Sequence, residues 1–164
     1  MRMNRTLVAA ATAALTVTAL GTARAATVDT TAPSACRPAN HLAKIAQDQS
    51  SAGHLHFRVT LTASGGYAPC VLAGSPTDVS FSDQGRTLPV TAGSYGDQTR
   101  AVTFGPGRPV HFDIQVRNNG STSPADEASF TLRGPGGPIP GTSVAEGAFV
   151  VSEGTLIGPV QPGA

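Results

Sequence analysis

Three histidines are the side chains best equipped for chemistry. His54 and His56 are two residues apart, and His111 stands in a second stretch of similar pattern. In extended backbone a spacing of two places both imidazoles on one face. Imidazoles that share a face are ligands for copper or zinc. No Cys, Met or carboxylate completes the set at ligand spacing, so solvent-facing histidines are the plainer reading. Tyr67 and Tyr95 each adjoin glycines, Gly66 and Gly96. Exposed aromatics in such loops anchor sugars or partner proteins, or else they close the end of a β-fold.

Motifs for catalysis are missing. A serine hydrolase of the nucleophile-elbow type needs G-x-S-x-G, and Gly93-Ser94-Tyr95-Gly96 is a different pattern. Serines are common, so the mere presence of Ser, His and Asp carries no weight. Asp126 and Glu127 are adjacent, in sequence that reads as a loop, where glycoside hydrolysis needs two carboxylates facing across a cleft. Gly134-Pro135-Gly136-Gly137 has neither the lysine nor the following helix of a phosphate-cradling loop. The expectation is therefore no enzyme, no catalytic residue and no cofactor.

The elements that must position these groups are strands. Leu55, Phe57, Val59 and Leu61 alternate with His56, Arg58, Thr60 and Thr62. Val110, Phe112, Ile114 and Val116 alternate in the same way with His111, Asp113, Gln115 and Arg117. Period two marks two half-buried strands that supply the core. A short strand is expected over residues 41–47. Further short strands are expected over 70–72, 79–81, 86–90, 101–104, 128–132, 148–151 and 156–160. Ser64-Gly65-Gly66, Asp83-Gln84-Gly85, Gly105-Pro106-Gly107 and Asn118-Asn119-Gly120 separate them as turns. Residues 134–141 read as an irregular loop, too rich in Gly and Pro for a strand interior. Short strands and turns at regular spacing predict an all-β, immunoglobulin-like antiparallel sandwich. Trp is absent, so the Cys-Trp-Cys core of antibody domains is not expected.

The N-terminus reads as an export signal. Arg2 and Arg5 precede an uncharged run over residues 7–20, and Ala23-Arg24-Ala25 offers the small residues a signal peptidase recognises. Cleavage is expected between Ala25 and Ala26, followed by a flexible leader over 26–35 and one domain over 36–164. The run is too short for a comfortable membrane span, which needs about 20 apolar residues. The mature chain is therefore expected to be secreted, with no membrane insertion. Arg2, Arg5 and Arg24 leave with the signal and no acid does, so eight of the 11 basic residues remain against 10 acids. A weakly acidic chain is a poor ligand for nucleic acid or anionic lipid. In an exported chain the two cysteines, Cys36 and Cys70, predict one disulfide.

Several segments in order resemble a known family. They are Cys36-Arg37-Pro38, Ala52-Gly53-His54, the strand end Val59-Thr60-Leu61-Thr62, and the run from Pro69 through Cys70-Val71-Leu72-Ala73-Gly74-Ser75-Pro76. Asp83-Gln84-Gly85-Arg86 and Val102-Thr103-Phe104-Gly105-Pro106-Gly107 follow. Over residues 36–132 the chain resembles the actinobacterial exported family known as domain of unknown function 4232. Ala63-Ser64 replaces a common Thr-Asn, Gln84 interrupts the Asp-Gly turn, and the later cysteines of many members are missing. The resemblance implies a secreted or envelope-associated β-sandwich and no activity. The functional expectation is a non-enzymatic binding module with an extracellular or cell-envelope partner. The alternative is an envelope copper- or zinc-binding protein using His54, His56 and His111.

Overall fold

A computed structural model describes residues 32–164. The expected export signal, its expected cleavage site and most of the expected leader lie outside the described residues. In chain order the strands are β1 (His41–Gln47), β2 (His54–Ala63), β3 (Cys70–Ala73), β4 (Thr77–Asp83), β5 (Arg86–Thr87), β6 (Gly93–Ser94) and β7 (Ala101–Phe104). Then follow β8 (Val110–Arg117), β9 (Ser123–Thr131), β10 (Arg133–Gly134), β11 (Gly137–Pro138), β12 (Ser143–Val151), β13 (Leu156–Ile157) and β14 (Gln161–Pro162). One turn of 3-10 helix, Pro38–Asn40, leads into β1.

The alternating strands behave as their sequence requires. Phe57, Val59 and Leu61 of β2 are buried, as are Val110, Phe112, Ile114 and Val116 of β8. The two strands pair antiparallel along their length, with Phe57 opposite Ile114 and Val59 opposite Phe112. Their inward faces therefore form one continuous apolar surface. Phe112 meets Phe130 of β9 edge to face at 5.0 Å between ring centroids. Phe149 of β12 bridges Phe57 and Phe81, at 5.9 Å from each.

Pairing gathers 10 strands into one sheet, ordered β5-β4-β9-β12-β1-β2-β8-β13-β6, with β14 also on β8. The sheet curls into a half-barrel around the phenylalanines. Two-stranded ribbons, β3 with β7 and β10 with β11, complete the fold. Hydrogen bonding thus yields a single large curled sheet, not two matched sheets. The neighbours β1 and β12 run parallel. Across β12 an extra residue interrupts the ladder with β9 between Glu146 and Phe149. Gly147 occupies that bulge, and a Cβ there would stand 2.2 Å from the Ile45 carbonyl oxygen. Only glycine allows β1 to approach so closely.

Several expected boundaries change. Residues 134–141 are not an irregular loop throughout: Arg133 pairs with Pro138 and Gly134 with Gly137 in a small hairpin. A Gly-Pro-rich segment can do this because a two-residue ladder asks for few donors. Asp126 and Glu127 lie within strand β9, not in a loop. Alanines on either side, Ala125 and Ala128, are buried and hold the strand to the core. The strand expected over 86–90 stops at Thr87, after which Leu88 donates its amide to Phe81.

The cysteines pair as expected. Cys36 and Cys70 form a disulfide with Cα atoms 6.0 Å apart. It ties the segment before β1 to the start of β3. Packed structure extends back beyond Cys36: Ala35 donates to the Ala68 carbonyl at 2.8 Å, and Ala68 to that of Pro33 at 3.0 Å. Ala35 is fully buried.

Candidate functional site

The outer face of β2 and β8 carries the polar residues of both strands. In this antiparallel register His56 faces Gln115, Arg58 faces Asp113, and Thr60 faces His111. Asp113 is thus the diagonal neighbour of His56, within reach of a long side chain. The His56 Nδ1–H donates to Asp113 Oδ2 at 2.5 Å. A carboxylate only accepts, so Nδ1 carries a proton, and in the neutral imidazole Nε2 is then an acceptor. Ser51 Oγ lies 2.8 Å from that Nε2, and in this tautomer its hydroxyl donates to it.

A tight hairpin turn brings Ser51 there. Ser51 and His54 exchange both backbone hydrogen bonds, each 3.1 Å. Gly53 takes φ of 81° at the third position of the turn, which favours glycine. The chain therefore reverses at Ala52-Gly53 and lays Ser51 beside the start of β2.

A fourth group closes the line. The Tyr95 hydroxyl donates to the same Asp113 Oδ2 at 2.9 Å. Tyr95 follows β6 and bonds through its amide to Ile157. Its hydroxyl lies over Gly158, where a Cβ would come within 2.9 Å of it. Gly158 in turn donates its amide to the Asp113 carbonyl at 2.8 Å. Gln98 secures the loop, donating to the Tyr95 carbonyl at 2.8 Å and the Ser75 hydroxyl at 3.0 Å. Burial, and then the Asp113 carboxylate, push the Tyr95 hydroxyl well above its ordinary pKa. It therefore remains a donor throughout the physiological range.

Two of the expected candidates, His56 and Tyr95, are thus joined through Asp113. His54 shares the face and stacks edge-on against His56 at 6.5 Å. His111 is on the same face but four residues along β8 from Gln115, about 13 Å away at 3.3–3.4 Å per residue. Its Nδ1 bonds the Gly163 carbonyl at 3.1 Å. Tyr67 packs against the core elsewhere. Among the described residues no three His, Cys, Asp or Glu side chains cluster to hold a metal ion. Ser51 and Asp113 were not singled out by sequence. The diagonal placement of Asp113 was implicit in the two alternating strands once paired, whereas Ser51 required the turn geometry.

A second feature lies at the edge of the β3–β7 ribbon. A groove of about 480 Å³ is lined by Arg100, Ala101, Val102, Thr103, Gly107, Arg108, Pro109, Pro162 and Gly163. It runs between β7 and β14. β7 pairs with β3 on one side only, and β14 pairs with β8. Among the described residues neither Arg100 nor Arg108 forms an ion pair; the only arginine paired to a carboxylate is Arg58, with Asp48 at 2.6 Å. Asp97, three residues before Arg100, accepts at Oδ1 from the Thr99 hydroxyl and amide, at 2.7 and 2.8 Å; those bonds, with a smaller contribution from the nearby Arg100 charge, hold its carboxyl below the usual carboxylate range.

No curated protein and no solved structure matches the chain. The family described as a domain of unknown function, DUF4232, matches residues 36–158, beyond the 36–132 span of the motifs and through the segment after Gly134. The chain belongs to that family.

Proposed function

We propose that this protein is an exported binding module, and that its groove beside β7 takes an extended acidic segment of an extracellular or cell-envelope partner. The observation that carries this reading is two exposed guanidinium groups, free of ion pairs, flanking the unpaired edge of a strand. An edge strand offers unpaired backbone groups to an added chain. Arginine forks above it recognise carboxylates with direction as well as charge. The groove is within the size range of small-ligand sites. Apart from Thr103 its walls are otherwise aliphatic or backbone, so the arginines are its only charged groups and set the selectivity.

Export is supported by the signal-like residues 1–25 and by the disulfide, which persists in oxidising compartments. No described helix is long and apolar enough to cross a membrane. The reading assigns no reaction to the groove. The alternative, an envelope copper or zinc protein, finds less support: both ring nitrogens of His56 are already hydrogen-bonded, and His111 stands apart.

Calorimetric titration with a blocked peptide alternating valine and glutamate tests the proposal. Binding should weaken by about 10-fold or more in Arg100→Ala and in Arg108→Ala, since a charge-assisted hydrogen bond contributes about 1.5–3 kcal/mol. Arg86→Ala, exposed on β5, should leave it unchanged. The reading fails if the peptide does not bind, or binds equally to both groove variants.

A further inference from the structure

We infer that Ser51 is an activated nucleophile that accepts acyl groups from small esters, with His56 as its base and Asp113 orienting that base. This goes beyond the binding role and involves different residues.

The inference rests on connectivity. Ser51 Oγ meets His56 Nε2 at 2.8 Å, and His56 Nδ1 meets Asp113 Oδ2 at 2.5 Å. These are the atoms, in order, that a hydroxyl nucleophile, a general base and an orienting carboxylate use on unrelated folds. The carboxylate fixes the tautomer that leaves Nε2 free to take the hydroxyl proton. The side chains of His56 and Asp113 are 18% and 17% exposed, which limits competition from water. Tyr95 holds Asp113 from its other side, donating to the same oxygen.

The hairpin supplies access and donors. A Cβ built on Gly53 meets no atom within 4 Å, so the tip is open to a small reactant. Ser51 and His54 use each other's amides, while those of Ala52 and Gly53, the central turn residues, take no part in that exchange. The amide after a nucleophile is the usual first donor to a developing oxyanion. Ser51 is exposed, so small acyl groups on good leaving groups are the reactants that fit.

The reaction runs in two balanced steps. His56 Nε2 takes the Ser51 proton as Oγ bonds to the ester carbonyl carbon. The carbon–alkoxide bond then breaks, and the alcohol leaves with the proton from His56. In the second step Nε2 deprotonates a water as its oxygen bonds to the acyl carbon; the bond from that carbon to Ser51 Oγ then breaks, Oγ takes the proton back from His56, and the carboxylic acid leaves.

The test uses the folded chain with p-nitrophenyl acetate and, separately, a fluorophosphonate probe. Peptide mass spectrometry locates the adduct. Ser51 should be the site modified, and His56→Gln should slow its modification by about 100-fold or more, the usual share of a general base. Free imidazole should restore part of the rate in His56→Ala, a rescue that a purely structural histidine would not show. Asp113→Asn should also slow it while circular dichroism shows the fold retained. The inference is overturned if Ser51 reacts no faster than other exposed serines such as Ser121. It is equally overturned if folded His56→Gln is modified at the original rate.

Discussion

Removing the Cys36–Cys70 link should cost this fold a large part of its stability. The bridge closes a loop with a sequence separation of 34 that contains all of β1 and β2. Cross-linking a loop of about 35 residues removes chain entropy from the unfolded state worth roughly 4 kcal/mol at 25 °C. Typical domains have only about 5–15 kcal/mol in total. For a domain of this size 1 kcal/mol moves the midpoint by about 3–5 °C, so the loss corresponds to about 12–20 °C. The Cys36→Ala, Cys70→Ala double variant is the suitable perturbation, because a single change leaves a free thiol, buried at Cys36 or half-buried at Cys70. Its thermal midpoint, followed by circular dichroism, should fall by that amount, and reduction of the wild type should produce a similar fall. A shift below about 3 °C would refute the entropic reasoning. It would imply that the unfolded chain already holds these segments together, or that the backbone bonds between Pro33, Ala35 and Ala68 do the tethering.

Other consequences follow from packing and titration. Phe112, 1% exposed and stacked on Phe130, should lose about 3–5 kcal/mol on mutation to Ala. Thr60→Ala and Gln115→Ala, on the outward face, should cost under about 1 kcal/mol by denaturant titration. Gly147→Ala should destabilise by at least about 1–3 kcal/mol, because the added methyl meets the Ile45 carbonyl, which can retreat only by moving β1. Burial holds the His41 imidazole below its ordinary pKa of 6.5, outweighing its hydrogen bond to the Ala35 carbonyl. Below pH 6.5 the unfolded chain therefore takes up a proton before the folded one does, and stability is lost as pH falls through the lower folded value. The melting temperature should drop more between about pH 8 and pH 5 in the wild type than in His41→Gln.

Much of this fold could be read from the chain, and the reasons are local. β2 and β8 announce themselves because each half-buried residue alternates with a polar one, so one periodicity defines both strand and face. The disulfide needed only the count of cysteines. Strand β9 is legible from Ala128 onward but not before, because Ser123, Pro124, Asp126 and Glu127 present no apolar alternation and are held by buried Ala125 and by the ladder to β12, with β4 joining only at Glu127. β12 was missed over its first half for a related reason: its inward residues there are Ser143 and Ala145, too small to give a hydrophobic signal. The curled sheet depends on the parallel pairing of β1 with β12, a contact across some 100 residues that no local pattern encodes. The histidine face was legible, and so was the location of Tyr95 in a loop. Their convergence on Asp113 was not, since it depends on strand register and on the loop that Gln98 secures. The groove at β7 escaped for the same reason: Arg100 and Arg108 flank one strand in sequence, but only the fold sets β14 opposite.

The binding role is the central claim, and amide chemical-shift mapping tests it most directly. The uniformly labelled chain is titrated with the blocked valine–glutamate peptide, about six residues long, enough to span β7 at about 3.4 Å per residue. Saturable shifts should concentrate at residues 100–109 and 162–163, with the Arg100 and Arg108 guanidinium signals among the first to move. A peptide with lysine in place of glutamate should leave them in place. Shifts that never saturate, or that gather instead around His54 and His56 with the groove silent, would contradict the assignment of this edge as the binding surface.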